Sequence, residues 1–152
     1  MSAAIDRKGA PRLLLAAGNG VLKRDGSLVM GAGSAKALAK AYPQAPKTFG
    51  EMVRKMGHLD GRGWYLYGLL ATQVGPCLSI GVFQTKGDWR EAASLSLVAH
   101  SARKLAEWME ENPGWEVHMA FPGVGFGGLE ERRVLEVLEK RLRGLPVVLY
   151  KL

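Results

Sequence analysis

The sequence is poor in several things, and each shortage excludes something. It has a single cysteine, Cys77, which rules out an internal disulfide. Because Cys77 lies in an apolar run, we expect a buried, reduced thiol. The three histidines, His58, His100 and His118, share no metal-ligand spacing, so we propose no metal and no cofactor. No Ser-His-Asp or His-Glu-x-x-His arrangement is visible. No apolar run is long enough to cross a bilayer, which argues against a membrane partner. Met1 to Pro11 lacks the apolar core of a secretory signal, so a cytoplasmic location is expected. Repeats, linkers and low-complexity segments are missing too. Acids are scarce: 14 Asp and Glu face 21 Lys and Arg, for a net charge of +7. That excess favours anionic partners, whether nucleotides, nucleic acid or an acidic surface.

What remains is the composition of a globular domain, 47% hydrophobic and 23% charged over 152 residues. Residues 1–11 show no periodicity and read as a tail or edge segment, leaving 12–152 as one domain. Arg12 to Ala17 is a short continuous apolar run, as in a strand covered on both faces. Val21-Leu22 and Leu28-Val29 flank Lys23-Arg24-Asp25-Gly26, a hairpin signal. Ala35 to Ala41 is rich in helix formers, with Ser34 as its expected N-cap. Lys47 to Met56 carries a helical stripe of Phe49, Met52, Val53 and Met56. Trp64 to Leu70 and Cys77 to Phe83 read as strands. Ser94 to Asn112 is the longest helix, stopped by Asn112-Pro113-Gly114. A short strand from Val117 to Phe121, a helix from Leu129 to Arg143 and a last strand from Val147 to Tyr150 complete the chain. Strands alternating with helices predict an α/β fold of three layers around a mixed sheet.

Three strands run into loops that precede helices, where α/β sheets gather ligands. In the first loop, Gly31-Ala32-Gly33-Ser34 opens a helix, and its amides and dipole suit a phosphate. The third loop, Pro122 to Gly128, is a second glycine turn. Two such turns suit the two phosphates of a diphosphate. Between them in sequence lies Thr85-Lys86-Gly87-Asp88-Trp89-Arg90. Gly31-x-Gly33 is followed by Lys36 where a dinucleotide fingerprint has its third glycine, which excludes an ordinary NAD-binding domain. We expect Trp89 to be a packing anchor.

These segments resemble the macro domains, a family that binds ADP-ribose. The resemblance runs from Arg12 to the C-terminus. It is carried by Leu15 to Asn19, Val29 to Gly33, Lys40 to Pro43, Phe83 to Arg90 and Pro122 to Leu129. Phe83-x-Thr85-Lys86-x-x-Trp89-Arg90 is similar to a signature of the branch holding terminal ADP-ribose glycohydrolases and the antitoxin of the DarTG pair. The resemblance implies a three-layer α/β/α domain whose ligand is ADP-ribose or an ADP-ribosylated macromolecule. It implies that Asn19 touches the distal ribose and that Gly31, Ala32, Gly33 and Ser34 surround one phosphate. It implies that Gly125, Phe126, Gly127 and Gly128 surround the other, with Phe126 near the distal ribose. Lys86 matches the lysine that attacks the anomeric carbon. A lysine partly desolvated among other cations is a credible nucleophile, and Arg90 is a candidate neighbour.

The chain also departs from the pattern. Its last loop has no acid before Leu129 to resolve a covalent intermediate, and the acid that contacts adenine has only Asp6 as a candidate. Three readings follow. One is a hydrolase that frees ADP-ribose from protein or nucleic acid through Lys86, and another is a reader that binds without chemistry. The third is a basic nucleic-acid-binding module.

Overall fold

The computed structural model describes residues 9–151. Asp6 and the tail expected before Gly9 lie outside the described residues.

The apolar run at Arg12 becomes the middle of a five-stranded sheet. β1 (Arg12–Gly18) pairs in parallel with β5 (Leu78–Gln84) on one side and β6 (Glu116–Ala120) on the other. β7 (Val147–Tyr150) extends the sheet in parallel beyond β6, and β4 (Leu69–Gly75) closes the other side antiparallel to β5. The order is β4-β5-β1-β6-β7, a mixed sheet. A separate two-stranded ribbon joins β2 (His58–Leu59) to β3 (Tyr65–Leu66).

Helices cover both faces, which is why β1 has no polar side. Leu13 and Leu15 face α3 (Leu95–Glu111) and α4 (Glu131–Leu142), in a core shared with Val98, Leu105, Val134 and Leu138. Ala16 faces the opposite layer, where α2 (Ala45–Met56) buries Phe49 and Val53, and α1 (Gly33–Ala41) buries Ala35. The predicted three-layer α/β/α architecture with a mixed sheet is therefore observed.

Several local expectations need correction. Trp64 to Leu70 is not one strand. Gly68 takes a left-handed φ of 78° and turns the chain from β3 into β4. An unbroken aromatic and aliphatic run hides that corner, because only the glycine allows it. Ser34 does not cap α1. Ala32 occupies the N-cap position, while the Ser34 hydroxyl accepts the Ala17 N–H at 3.0 Å. The hydroxyl thus extends the hydrogen bonding of β1 beyond Leu15, where its pairing with β6 ends. Cys77 is exposed, because it sits in the turn between β4 and β5 rather than within the strand. Trp89 is also exposed, at 50%, so it is no packing anchor.

Candidate functional site

Parallel strands bring three loops to one edge. β1, β5 and β6 end at Gly18, Gln84 and Ala120, and Gly18 lies in register with Gln84. Backbone hydrogen bonds then tie the loops together. Thr85 N–H donates to the Gly18 carbonyl at 2.9 Å, and Gly20 N–H donates to the Gly87 carbonyl at 2.7 Å. Ala93 N–H donates to the Gly127 carbonyl at 2.9 Å. The lysine loop is thereby bonded to the first glycine loop on one side and to the second on the other.

The first loop presents an open helix N-terminus. Gly31, Ala32 and Gly33 are exposed, and a Cβ added at Gly31 would meet nothing within 4 Å. The first-turn amides of α1 have no intrahelical acceptor, and no acidic side chain occupies that turn to compete for them. The hairpin before it forms as read, with Leu22 bridged to Leu28. Asn19 anchors it. This buried side chain donates from Nδ2 to the Val29 carbonyl at 3.0 Å and accepts the Val21 N–H on Oδ1 at 2.9 Å. Asn19 therefore shapes the loop from within.

The second glycine turn is a single 3₁₀ turn, Gly125–Gly127. Gly127 and Gly128 spend their N–H groups inside it, on the carbonyls of Val124 and Gly125. The amides that 3₁₀ geometry leaves outside the turn are those of Gly125 and Phe126. Gly125 and Gly128 are exposed, with open space where a Cβ would stand. The Phe126 side chain lies outside the described groups. Gly127 is different, since Ala93 packs where its Cβ would be. Of Gly125, Gly127 and Gly128, it is the one required by packing.

Between the turns, Lys86 is half-buried and makes no ion pair among the described residues. The next glycine, Gly87, rests on the Trp64 indole, which leaves no room for a Cβ. Trp64 is buried and its Nε1–H has no partner among the described residues. Arg90 does not turn toward the lysine. Its guanidinium grips Asp88 at two points, Nη2 to Oδ2 at 2.6 Å and Nε to Oδ1 at 2.9 Å, and lies over the Trp89 ring at 5.5 Å. A bidentate pair of this kind favours the ionised carboxylate. The side-chain bond from Arg90, then its backbone N–H, draws the Asp88 carboxyl down to about 2. A depressed folded value means the clamp is complete above the ordinary carboxylate range and opens as pH falls toward 2. In an NMR titration, Arg90→Ala is expected to raise the Asp88 pKa only part of the way toward its ordinary value of 3.8, because the backbone N–H of residue 90 still donates to the carboxylate.

Two grooves, of about 370 Å³ and 340 Å³, lie away from these loops. One runs between α3 and the β2–β3 ribbon, and the other lies between the start of α2 and β4. Among the described residues, no His, Cys, Asp or Glu cluster could hold a metal. No described helix is long and apolar enough to cross a membrane.

No protein-family model and no curated protein matches the chain. Solved structures do. Over 93% of its length the chain superposes on 89% of the macrodomain of Thermus aquaticus DarG, with a TM-score of 0.73 and 23% identity. The macrodomain of Mycobacterium tuberculosis DarG is matched over 99% of this chain and 94% of that one, at TM-score 0.69 and 21% identity. The chain has the macrodomain fold. A further match is Thermosipho africanus DarTG in complex with ADP-ribose, at TM-score 0.70 and 17% identity. It covers 95% of this chain but 38% of that longer protein. In this fold the two glycine turns and the lysine loop singled out from the sequence lie at one sheet edge. The sequence does not single out the buried, hydrogen-bonded Gln84 and Tyr67, because a glutamine at a strand end and a tyrosine in an aromatic run carry no chemical signature.

Proposed function

We propose that this macrodomain binds ADP-ribose and releases it from a modified macromolecule through Lys86. The observation that carries the reading is the bonding of the lysine loop, at one sheet edge, to Gly18 and Gly20 at the start of the first glycine loop and, through Ala93, to Gly127 of the second. The first-turn amides of α1 would hold one phosphate, and the amides of Gly125 and Phe126 the other. Gly31, Ala32, Gly33 and Ser34 would form one wall of the cleft, and Gly127 and Gly128 would shape the other. With the pyrophosphate fixed, the distal ribose would fall between the turns, within reach of Lys86. Its neutral amine would form a bond to the anomeric carbon. The bond to the carrier would break, and the carrier would leave with the electron pair and take up a proton. Water would then cleave the carbon–nitrogen bond, freeing ADP-ribose and restoring the amine. Asp88 is committed to Arg90, so the resolving step would lack a dedicated carboxylate.

The test is release of ADP-ribose from ADP-ribosylated single-stranded DNA and from ADP-ribosylated protein, with calorimetry on free ADP-ribose. Binding without release from either carrier would leave the reader. Absence of binding would end both readings.

Charge favours a nucleic-acid carrier. Residues 12–62 hold nine Lys and Arg against three Asp and Glu, whereas residues 63–151 hold ten of each. The excess falls on the hairpin, α1 and α2, where Lys23, Arg24, Lys36, Lys40, Arg54 and Lys55 are exposed. The hairpin packs on α2 through the Leu28 N–H to Pro46 carbonyl bond at 2.8 Å, and Leu28, α1 and α2 share one core against the same sheet face, so these cations belong to one layer. Four phosphate contacts to a single strand would give a log K against log salt slope of about −3. Lys23→Glu with Arg24→Glu is expected to flatten it by about one unit or more. A salt-independent affinity would remove this carrier preference.

A further inference from the structure

A primary amide is fully buried where β5 ends. Gln84 has no exposed surface, a costly placement unless its polar atoms are bonded. Oε1 accepts the N–H of Tyr67 at 2.9 Å and of Gly68 at 3.0 Å. Nε2 donates to the carbonyl of Tyr65 at 2.9 Å and of Lys86 at 3.3 Å. One side chain thus joins the β3–β4 corner to the main chain of the lysine. From the corner, the buried Tyr67 hydroxyl donates to the Asn19 carbonyl at 2.7 Å. Burial pushes the Tyr67 phenol up, so it stays a donor. The Asn19 side chain in turn holds the Val29 carbonyl, two residues before Gly31.

We propose that this continuous brace, from Lys86 through Gln84, Tyr67 and Asn19 to Val29, sets the distance between Lys86 and the Gly31–Gly33 turn. Gln84 and Tyr67 are then positioning residues for the reaction at Lys86. The proposal rests on the hydrolase reading. A bound pyrophosphate fixes the ligand at the turn, and the ligand's own covalent length fixes its anomeric carbon. Among the described residues Lys86 makes no ion pair to aim it, so its main chain decides where the amine reaches. Affinity comes from the turns and is indifferent to that position, while rate is sensitive to it. A misplacement of about 1 Å costs on the order of 100-fold.

Two variants cut the brace without emptying space. Tyr67→Phe removes one hydroxyl. Gln84→Glu keeps the shape but, ionised, cannot donate to Lys86 or Tyr65. Release rates and ADP-ribose Kd are measured for each and for the double variant, at temperatures where circular dichroism finds them folded. We expect kcat to fall about tenfold in Tyr67→Phe and about 100-fold in Gln84→Glu, with Kd within about twofold. The double variant is expected to be no slower than Gln84→Glu alone, since both interrupt one connection. Gln84→Glu is also expected to recover rate as pH falls, because a protonated carboxyl regains a donor. Wild-type kcat in Tyr67→Phe overturns the proposal, whatever Gln84→Glu does. So do rate losses that multiply in the double variant, or a rise in Kd that matches the fall in rate. Wild-type protein that releases nothing would instead remove the hydrolase reading and the brace's role with it.

Discussion

Lys86→Ala is expected to cut release of ADP-ribose by about a thousandfold or more, with ADP-ribose Kd changed by no more than about threefold. The asymmetry follows from where the contacts lie. Binding is assigned to backbone amides at two turns, and removing one side chain leaves them in place. Bond formation at the anomeric carbon is assigned to the Lys86 amine, which alanine lacks. Lys86→Arg separates this role from simple charge. Arginine keeps a cation for a phosphate but stays protonated and offers no lone pair. It should therefore be as inactive as alanine. An active arginine variant would make Lys86 an electrostatic contact rather than a nucleophile.

Gly31→Glu should weaken ADP-ribose binding by about 100-fold or more, equivalent to about 2.7 kcal/mol. The fold has room for the side chain, since a Cβ there meets nothing within 4 Å. An acid beside a helix N-terminus is mildly stabilising, so Tm should move by no more than about 2 °C. The loss comes from placing a carboxylate over the amides that the phosphate needs. Gly50→Ala provides the contrast. Its Cβ would overlap the Gly26 carbonyl, where the hairpin crosses α2. We expect it to cost about 1–3 kcal/mol of stability and to lower Tm. Calorimetry and thermal melts on the two variants distinguish a glycine kept for a ligand from one kept for packing. Weak binding in Gly31→Glu with an equal fall in Tm would assign both to packing.

The larger elements were legible because their signals are local and strong. β1 was readable from an apolar run with no polar side, since both its faces are covered. α3 was readable from its length and its Asn112-Pro113-Gly114 stop, while Ser94, read as its first residue, is instead its N-cap and accepts the Leu97 N–H at 3.4 Å. β7 matched residue for residue. The misreadings arose where a distant partner, a turn or the surface decides what composition does not. Ser34 bonds Ala17 across 17 positions, so its hydroxyl was unavailable to the helix that follows it. Cys77 belongs by composition to a strand and by geometry to a turn. Trp89 looks like core material, yet Arg90 stacks on it at the surface. The glycine turns of the candidate site were visible, but not which amides they leave free. The 3₁₀ turn at Gly125 decides that, and its hydrogen bonds have no signature in a run of glycines.

The claim that two turns grip one diphosphate is tested most directly by amide NMR during an ADP-ribose titration. The account predicts that the amides of Gly33, Ser34, Gly125 and Phe126 shift together along one binding curve, accompanied by Lys86. Shifts confined to one of the two turns, or to the groove between α3 and the β2–β3 ribbon, would contradict it.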